Sequence, residues 1–535
     1  MASLTLINID QKSKWLKQEP SSSLTPLLVL ASGAMLLLSS IAQVWNRIVD
    51  FLRDFGRPVI QNVPQVPGYP ILGVLPQMCN EGLYSATMRE MFDAAKDSGI
   101  SCSSVGTVPI VLLRDPGVIR QVLVQNSDSI TRFAPDGTGP FGIMQRITGD
   151  IAASANGQDW HRWRKGFLKD FSNSTALRKS YGDILRIAKH HVEKMKTEKS
   201  GTDLLDAMQA YALDSVWSVT LGADNISQSA DEILSVMSRY GDIVGSPSHL
   251  WRHHIRNFVS GKAYREPDYI EKSVGDQING VLDKLLGSHI ENVNPEEHPG
   301  EDLKHNFLRR TSKESGGSLQ SPITEDVLSQ ARQVFSLGHE APTLVLSWAI
   351  YELGRHPEVI EKLRREIQDS KGDDGDLDFE TLRGLPYLDS VCLELLRLHS
   401  PISATSRMVT KPIVLETKDK NTVVLPPGTH LFASVHLLHH DKLVWGENAD
   451  EFVPERWTGL KPSILESRCE YLPFLAGPRG CPSASFVSVQ MKTMLSVLLS
   501  QVDVELTDST GVEKCIGGVV RPSKPLPYQI HEICV

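Results

Sequence analysis

The sequence predicts a mainly α-helical body with a smaller β region, carried behind an N-terminal transmembrane helix. Three observations lead there. Residues 26–44 form a nearly uninterrupted apolar segment. After it, residues 176–290 and 323–354 keep apolar side chains at helical spacing, whereas strand-like runs such as 109–113 are short. Finally, Cys481 sits in a turn rich in glycine and proline, Phe474-Leu-Ala-Gly477-Pro-Arg479-Gly-Cys481-Pro-Ser483, ahead of an apolar pattern that starts at Phe486.

The apolar segment contains nineteen residues, which as a helix would extend about 28 Å, enough to cross a hydrocarbon core. Lys12, Lys14 and Lys17 precede it, and Ser40-Ile41-Ala42 also fits the small-x-small site of a cleavable signal peptide. Arg47, Arg53 and Arg57 on the far flank balance the lysines, so charge alone sets no orientation. Residues 46–75 read as a basic and proline-rich hinge, with Pro64, Pro67 and Pro70 favouring an extended chain. The expected division is therefore an anchor at 1–45, the hinge at 46–75 and one large domain at 76–535.

Composition narrows the function classes. With 535 residues, 41% hydrophobic and 22% charged, the chain has the length and balance for a large core. A net charge of -9 and no basic stripe argue against nucleic acid as a partner. The seven cysteines are odd in number and irregularly spaced, which reads as reduced thiols and not a disulfide framework.

Within the body, 109–113 reads as a strand and Asp115-Pro116 opens a helix to about Val124. Residues 130–150, with Phe141, Met144 and Ile147, read as a glycine- and proline-rich loop, and 291–321 as a charged surface connector. On a helix, Trp160 and Arg164 share a face. A single long helix is expected over 323–354, with Thr324 as its cap. Pro342 inside it has no N–H, so the Gly338 carbonyl should be left free and the helix should kink. Glu394 and Arg397 fall three apart on a helix that starts near Pro386, and Phe452-Val-Pro-Glu-Arg456-Trp supplies a second arginine.

A cysteine between prolines and glycines, with an arginine two residues before it, suits a thiolate that meets haem iron from a rigid loop. The loop resembles the Phe-x-x-Gly-x-Arg-x-Cys-x-Gly pattern of the cytochrome P-450 superfamily. Glu394-x-x-Arg397, then Pro-Glu-Arg456-Trp, then the cysteine loop follow in that family's order. The resemblance covers roughly residues 60 to 525. It implies Cys481 as ligand of the iron of haem b, with Phe474 in the same loop. Arg479, Trp160, Arg164 and Arg407 would hold the haem propionates, and Glu394, Arg397 and Arg456 would form a buried network behind the loop.

Two departures lie in the loop and its helix: Ser483 stands where the family has glycine, and Val487 where it usually has alanine. A third is in the distal helix, where Gly338 and Glu340 match but Ala341 replaces the family's threonine and Pro342 follows. Thr343 is two residues further, about 200° around a helix, and cannot substitute. Glu340, Gly338 and Pro342 are then the candidate catalytic positions, supplying an acid and a water site on the freed carbonyl. Phe141, Ala341, Ala404 and Val519 are expected in the substrate pocket, with Ile402, Ser403, Thr405, Gly517, Gly518 and Val520 near them. That floor contains no lysine or arginine, which speaks against a highly anionic substrate.

The implied function is a haem-dependent monooxygenase acting on a bulky apolar small molecule, a secondary-metabolite intermediate, by hydroxylation, further oxidation or ring closure. It would use O2 and electrons from NADPH through a flavoprotein reductase, with cytochrome b5 as an optional second donor. Its setting would be the lipid of the endoplasmic reticulum membrane, crossed once, with the catalytic domain facing the cytosol. Two rivals remain: a haem-thiolate isomerase or dehydratase that needs no external electrons, and a non-enzymatic membrane haem-binding sensor or carrier.

Overall fold

Several helices begin where the sequence supplies a capping side chain. In the computed structural model, α1 covers Ala86–Ala94. α2, Pro116–Arg120, opens on Asp115, whose carboxylate accepts from the Val118 N–H, and continues as a π turn, Gln121–Gln125. α3 is Gly139–Thr148 and α4 is Gly157–Phe171. Asn173 caps α5, Ser174–Glu198. Asp203 caps α6, Leu204–Leu221, which ends on Gly222 at φ 73°. α7 is Tyr269–Gly287, α8 Glu340–Arg355, α9 Pro357–Asp369, α10 Phe379–Gly384, α11 Pro386–Leu398 and α12 Ala484–Gln501.

The structure describes residues 60–69, 73–77 without 75, 86–222 with gaps at 106–107, 133–138, 150–152 and 154, then 226–229, 267–287, 331–334, 337–533 without 374, and a few single positions between these. The expected anchor, most of the hinge, the Thr324 cap and, apart from Leu303, the 291–321 connector lie outside the described residues. Among the described residues no helix is long and apolar enough to cross a membrane.

α6 is buried on every side from Tyr211 to Leu221, because it runs between α5 and α8. α9 is its opposite: only Val359, Leu363 and Ile367, four apart, are buried, and they face α12. Among the described residues the β region is a five-stranded sheet and three small ones. The strands are β1 Ile100–Val105, β2 Val108–Leu113, β3 Ile130–Thr131, β4 Ser200–Gly201, β5 Ala404–Val409 and β6 Ile413–Glu416. They continue with β7 Thr422–Leu425, β8 His430–Ser434, β9 Val502–Leu506, β10 Lys514–Ile516, β11 Val520–Pro522 and β12 Tyr528–Glu532.

The larger sheet has the order β1-β2-β8-β5-β3, antiparallel except between β2 and β8. In the β3–β5 pair, Ile130 faces Val409 and Thr131 faces Met408. Arg132 follows this short strand directly, and its guanidinium lies close to that of Arg407.

Two expectations about elements are corrected. The 130–150 stretch is not a simple loop, because α3 occupies part of it. The expected 323–354 helix is interrupted: 331–334 are helical, Gly338 and His339 are not, and α8 starts afresh at Glu340 with His339 as its cap residue. Pro342 therefore lies in the first turn of α8 and causes a break instead of a kink within a continuous helix. Gly338 is required there, since a Cβ would lie 2.5 Å from the Val334 carbonyl oxygen and 3.2 Å from Val216 of α6.

Candidate active site

The cysteine loop is seated on the turn that follows α2. Gly477 has φ 71°, and a Cβ there would come within 2.1 Å of the Leu123 carbonyl oxygen. Only glycine permits both the backbone angle and the close approach. The Cys481 N–H donates to the Phe474 carbonyl at 2.7 Å, closing the loop, and half-buried Phe474 packs against the main core. The Cys481 thiol stands 3.3 Å from the Ser483 hydroxyl. Cys102, Cys392 and Cys469 are free thiols too, but burial pushes them up to about 11, 12 and 11, which makes them inert.

Behind the loop, Glu394 and Arg397 on α11 are both fully buried. Arg397 donates Nε and Nη2 to the two Glu394 oxygens at 2.9 and 2.8 Å. Arg456 Nε, the Trp457 indole and the Val453 N–H also donate to Glu394, at 3.3, 2.9 and 3.0 Å. The rest of Arg397 is taken up by the carbonyls of His439, Ala449 and Glu451. The three residues grouped by sequence are thus one contact network, with every charge paired or hydrogen-bonded.

His439, which sequence reasoning did not single out, joins this network to the loop. Its Nε2 accepts from the Leu472 N–H at 2.8 Å, so the proton is on Nδ1 and is donated to the Arg397 carbonyl. Burial, reinforced by the neighbouring Arg397, lowers the imidazole to about 3, which keeps this neutral tautomer. Tyr471 stacks on the ring and donates its hydroxyl to the Leu393 carbonyl. The residues just ahead of Phe474 are thereby fixed from α11.

Four guanidiniums cluster near Cys481: Arg132 and Arg164 feel its charge, and Arg407 and Arg479 lie close to them. Arg407, buried on β5, donates to Thr405 Oγ1 and the Ser406 carbonyl, and its Nη2 has no hydrogen-bond partner. Arg164 on α4 likewise leaves Nε without one. Arg479 donates to the Ala155 carbonyl and Asn156 Oδ1, with its guanidinium 4.0 Å above the Trp160 ring. The fourth is Arg132, which the sequence reading missed. Loss of solvent lowers Arg132 to about 10, while Cys481, the opposite charge, pulls the other way and Arg164 adds to the lowering. Burial likewise lowers Arg407 and Arg479, each to about 9, with neighbouring arginines adding to the effect. Arg164 is lowered for the same first reason.

No carboxylate pairs with Arg164, Arg407 or Arg479 among the described residues. A cluster of cations left without counter-charge beside a thiol fits a flat metal-bearing group with anionic arms, and the haem expected from the sequence has that chemistry.

The distal side departs further from expectation. Glu340 forms an ion pair with Arg521 across to β11, so its carboxylate is not a free acid over the thiol. Arg521 is a second missed residue, and it qualifies the reading of a floor without cations. The Gly338 carbonyl does accept no hydrogen bond among the described residues, because Pro342 offers none. The Thr343 hydroxyl is spent on the His339 carbonyl at 2.8 Å.

Ala341 is half-buried at the start of α8, and Ile402 bridges to Val519, bringing those two pocket segments together. Ser403 and Thr405 are both buried and hydrogen-bonded, Ser403 to the Gly517 carbonyl and Thr405 to Arg407, with which it shares a face of β5. Ala404 is half-buried against the cluster of Met88, Met91 and Phe432. The backbone of Phe141 lies in α3; its side chain is outside the described residues.

A helical body with a cysteine loop pinned from an internal Glu–Arg–Arg network, and arginines gathered near the thiol, fits the haem-thiolate class of proteins. The chain matches the cytochrome P-450 family across residues 64–530 and belongs to it. It is 34% identical over 209 residues to a cytochrome P-450 monooxygenase, claU, of Ampulloclitocybe clavipes, covering 36% of this chain and 38% of that one. It is 31% identical over 227 residues to a ganoderic acid synthetase of Ganoderma lucidum, covering 39% and 41%. A cytokinin hydroxylase of Arabidopsis thaliana is 26% identical over a longer stretch, 76% of this chain and 75% of that one. The matches to the first two thus span about four tenths of those relatives' lengths.

Proposed function

We propose that the protein is a haem-dependent monooxygenase in which Cys481 ligates the iron of haem b. The carrying observation is that Arg164, Arg407 and Arg479, gathered near the thiol, pair with no carboxylate among the described residues. The bound haem would supply oxygen activation, assisted by electron donation from the thiolate. The chain's own residues do the rest. Arg132, Arg164, Arg407 and Arg479 would hold the propionates, with Trp160 keeping the Arg479 plane in place. His439, Tyr471 and the Glu394 network keep the cysteine loop rigid. On the distal side Ala341 has no hydroxyl to give, so protons would travel by water bound at the Gly338 carbonyl or by the substrate itself.

The substrate we infer is a bulky apolar small molecule, a secondary-metabolite intermediate undergoing hydroxylation, further oxidation or ring closure. The fungal relatives named above and the half-buried Ala341 and Val519 support this reading. Electrons would come from NADPH through a flavoprotein reductase, with cytochrome b5 as a second donor. The apolar 26–44 segment supports a single-pass anchor in the endoplasmic reticulum membrane with the catalytic domain in the cytosol.

The test is the reduced, carbon monoxide-bound protein. It should show the red-shifted Soret band of a thiolate-ligated haem, and Cys481→Ala should lose it together with most of the haem. Retention of the band in Cys481→Ala would sink the assignment. A second reading, an isomerase or dehydratase independent of external electrons, draws on the pairing of Glu340 with Arg521 and on Ala341, which together remove two distal proton donors. Turnover of substrate without NADPH or O2 would favour it.

A further inference from the structure

The residue two positions after Cys481 is a serine at the start of a helix, and it does not behave as helix-starting serines do. A serine at the N-cap ordinarily turns its oxygen to an N–H one turn into the helix. Ser483 is the cap residue of α12, with φ -105° and ψ 19°, and no N–H of that helix donates to its side chain. Its carbonyl still accepts the Val487 N–H at 2.9 Å, so the helix starts normally. The hydroxyl instead lies 3.3 Å from the Cys481 sulfur. A thiolate carries no proton, so in that pair the hydroxyl is the donor.

We infer that Ser483 is a positioning and charge-tuning residue: its hydroxyl donates to the Cys481 thiolate and draws negative charge from the sulfur. The inference rests on the proposal that Cys481 ligates haem iron. The family pattern has glycine here, which offers no side-chain donor, so this sulfur receives one more hydrogen bond than the pattern provides. Reduction of the iron increases the charge on its thiolate ligand. A donor at the sulfur therefore favours the ferrous state and weakens the donation from sulfur to iron. The chain would be easier to reduce than its glycine counterpart, with a softer electron push.

The experiment is a spectroelectrochemical titration of the full-length haem-loaded protein beside Ser483→Ala, Ser483→Gly and Ser483→Thr. The side chain caps nothing, so the small substitutions leave the start of α12 as it is. Alanine and glycine should each shift the one-electron equilibrium against reduction on the order of tenfold, about 59 mV. Threonine, which keeps the hydroxyl, should stay near the wild type. The iron–sulfur stretching frequency should rise in the first two and not in the third.

Unmoved potentials in alanine and glycine would overturn the inference while the red-shifted carbon monoxide band persists in all four proteins. So would a threonine variant that shifts as alanine does, since that would make bulk and not the hydroxyl the cause. Absence of that band in the wild type would overturn ligation by Cys481 and this inference with it.

Discussion

Removing the Glu394 carboxylate takes the anchor from five donors at once: two from Arg397 and one each from Arg456, Trp457 and Val453. Glu394 and Arg397 are both 0% exposed, so water cannot replace the lost partner. Stranding one member of a buried pair costs ~3–5 kcal/mol, and an unpaired indole or backbone N–H adds ~1–3 kcal/mol with overlap. Glu394→Ala should therefore lose about 4–6 kcal/mol of a stability on the order of 5–15 kcal/mol.

The assay is a urea titration of the haem-loaded protein, followed by far-ultraviolet circular dichroism and by the haem band. Arg397→Met alone leaves the carbonyls of His439, Ala449 and Glu451 without a donor, so it too is costly. The double variant no longer contains the stranded cation, and should cost ~2–3 kcal/mol less than the sum of the two single losses. A shift below ~1 kcal/mol for Glu394→Ala, or strict additivity in the cycle, would refute the reasoning.

Three further outcomes are expected. Arg407→Met should stabilise the haem-free protein, because burial already holds that guanidinium down at about 9, yet it should speed haem loss to a scavenger protein by about tenfold. Lys514, which donates to the Leu398 carbonyl and meets His440, is lowered by burial from 10.5 to about 8. Between those values the unfolded chain binds the extra proton, so stability should rise with pH across that window, and Lys514→Met should flatten the rise in melting temperature. Deleting residues 1–45 should move the protein from the membrane fraction toward the soluble one with haem still bound; unchanged sedimentation with membranes would contradict the proposed anchor.

The legible parts of the sequence were those whose logic is local. The glycines and prolines of the 474–483 loop, Asp115 before Pro116 and the i,i+3 spacing of Glu394 and Arg397 all declare their roles within a few residues. Arg132 does not, because it reaches the site from the end of a two-residue strand that pairs with β5, a pairing that no periodicity reveals. Arg521 meets Glu340 across 181 positions, and a local pattern cannot anticipate that. The interruption before α8 was half visible. Pro342 announced the lost hydrogen bond, but the full break also needs Gly338 pressed against Val216 of α6, a contact set by packing.

The short strand that leads Arg132 toward Arg407 also says something about the life of the chain before it is loaded. β3, at the margin of the larger sheet, is only Ile130 and Thr131 and among the described residues pairs on one side alone. Short margins of this kind are where a sheet frays and where foreign strands attach. If anionic arms of a cofactor clasp both arginines, they also clasp the last strand to its neighbour, and the cofactor becomes the hem of the sheet. Cells starved of haem should then accumulate this protein as aggregate, with the margin of the sheet as the place where the clumping begins.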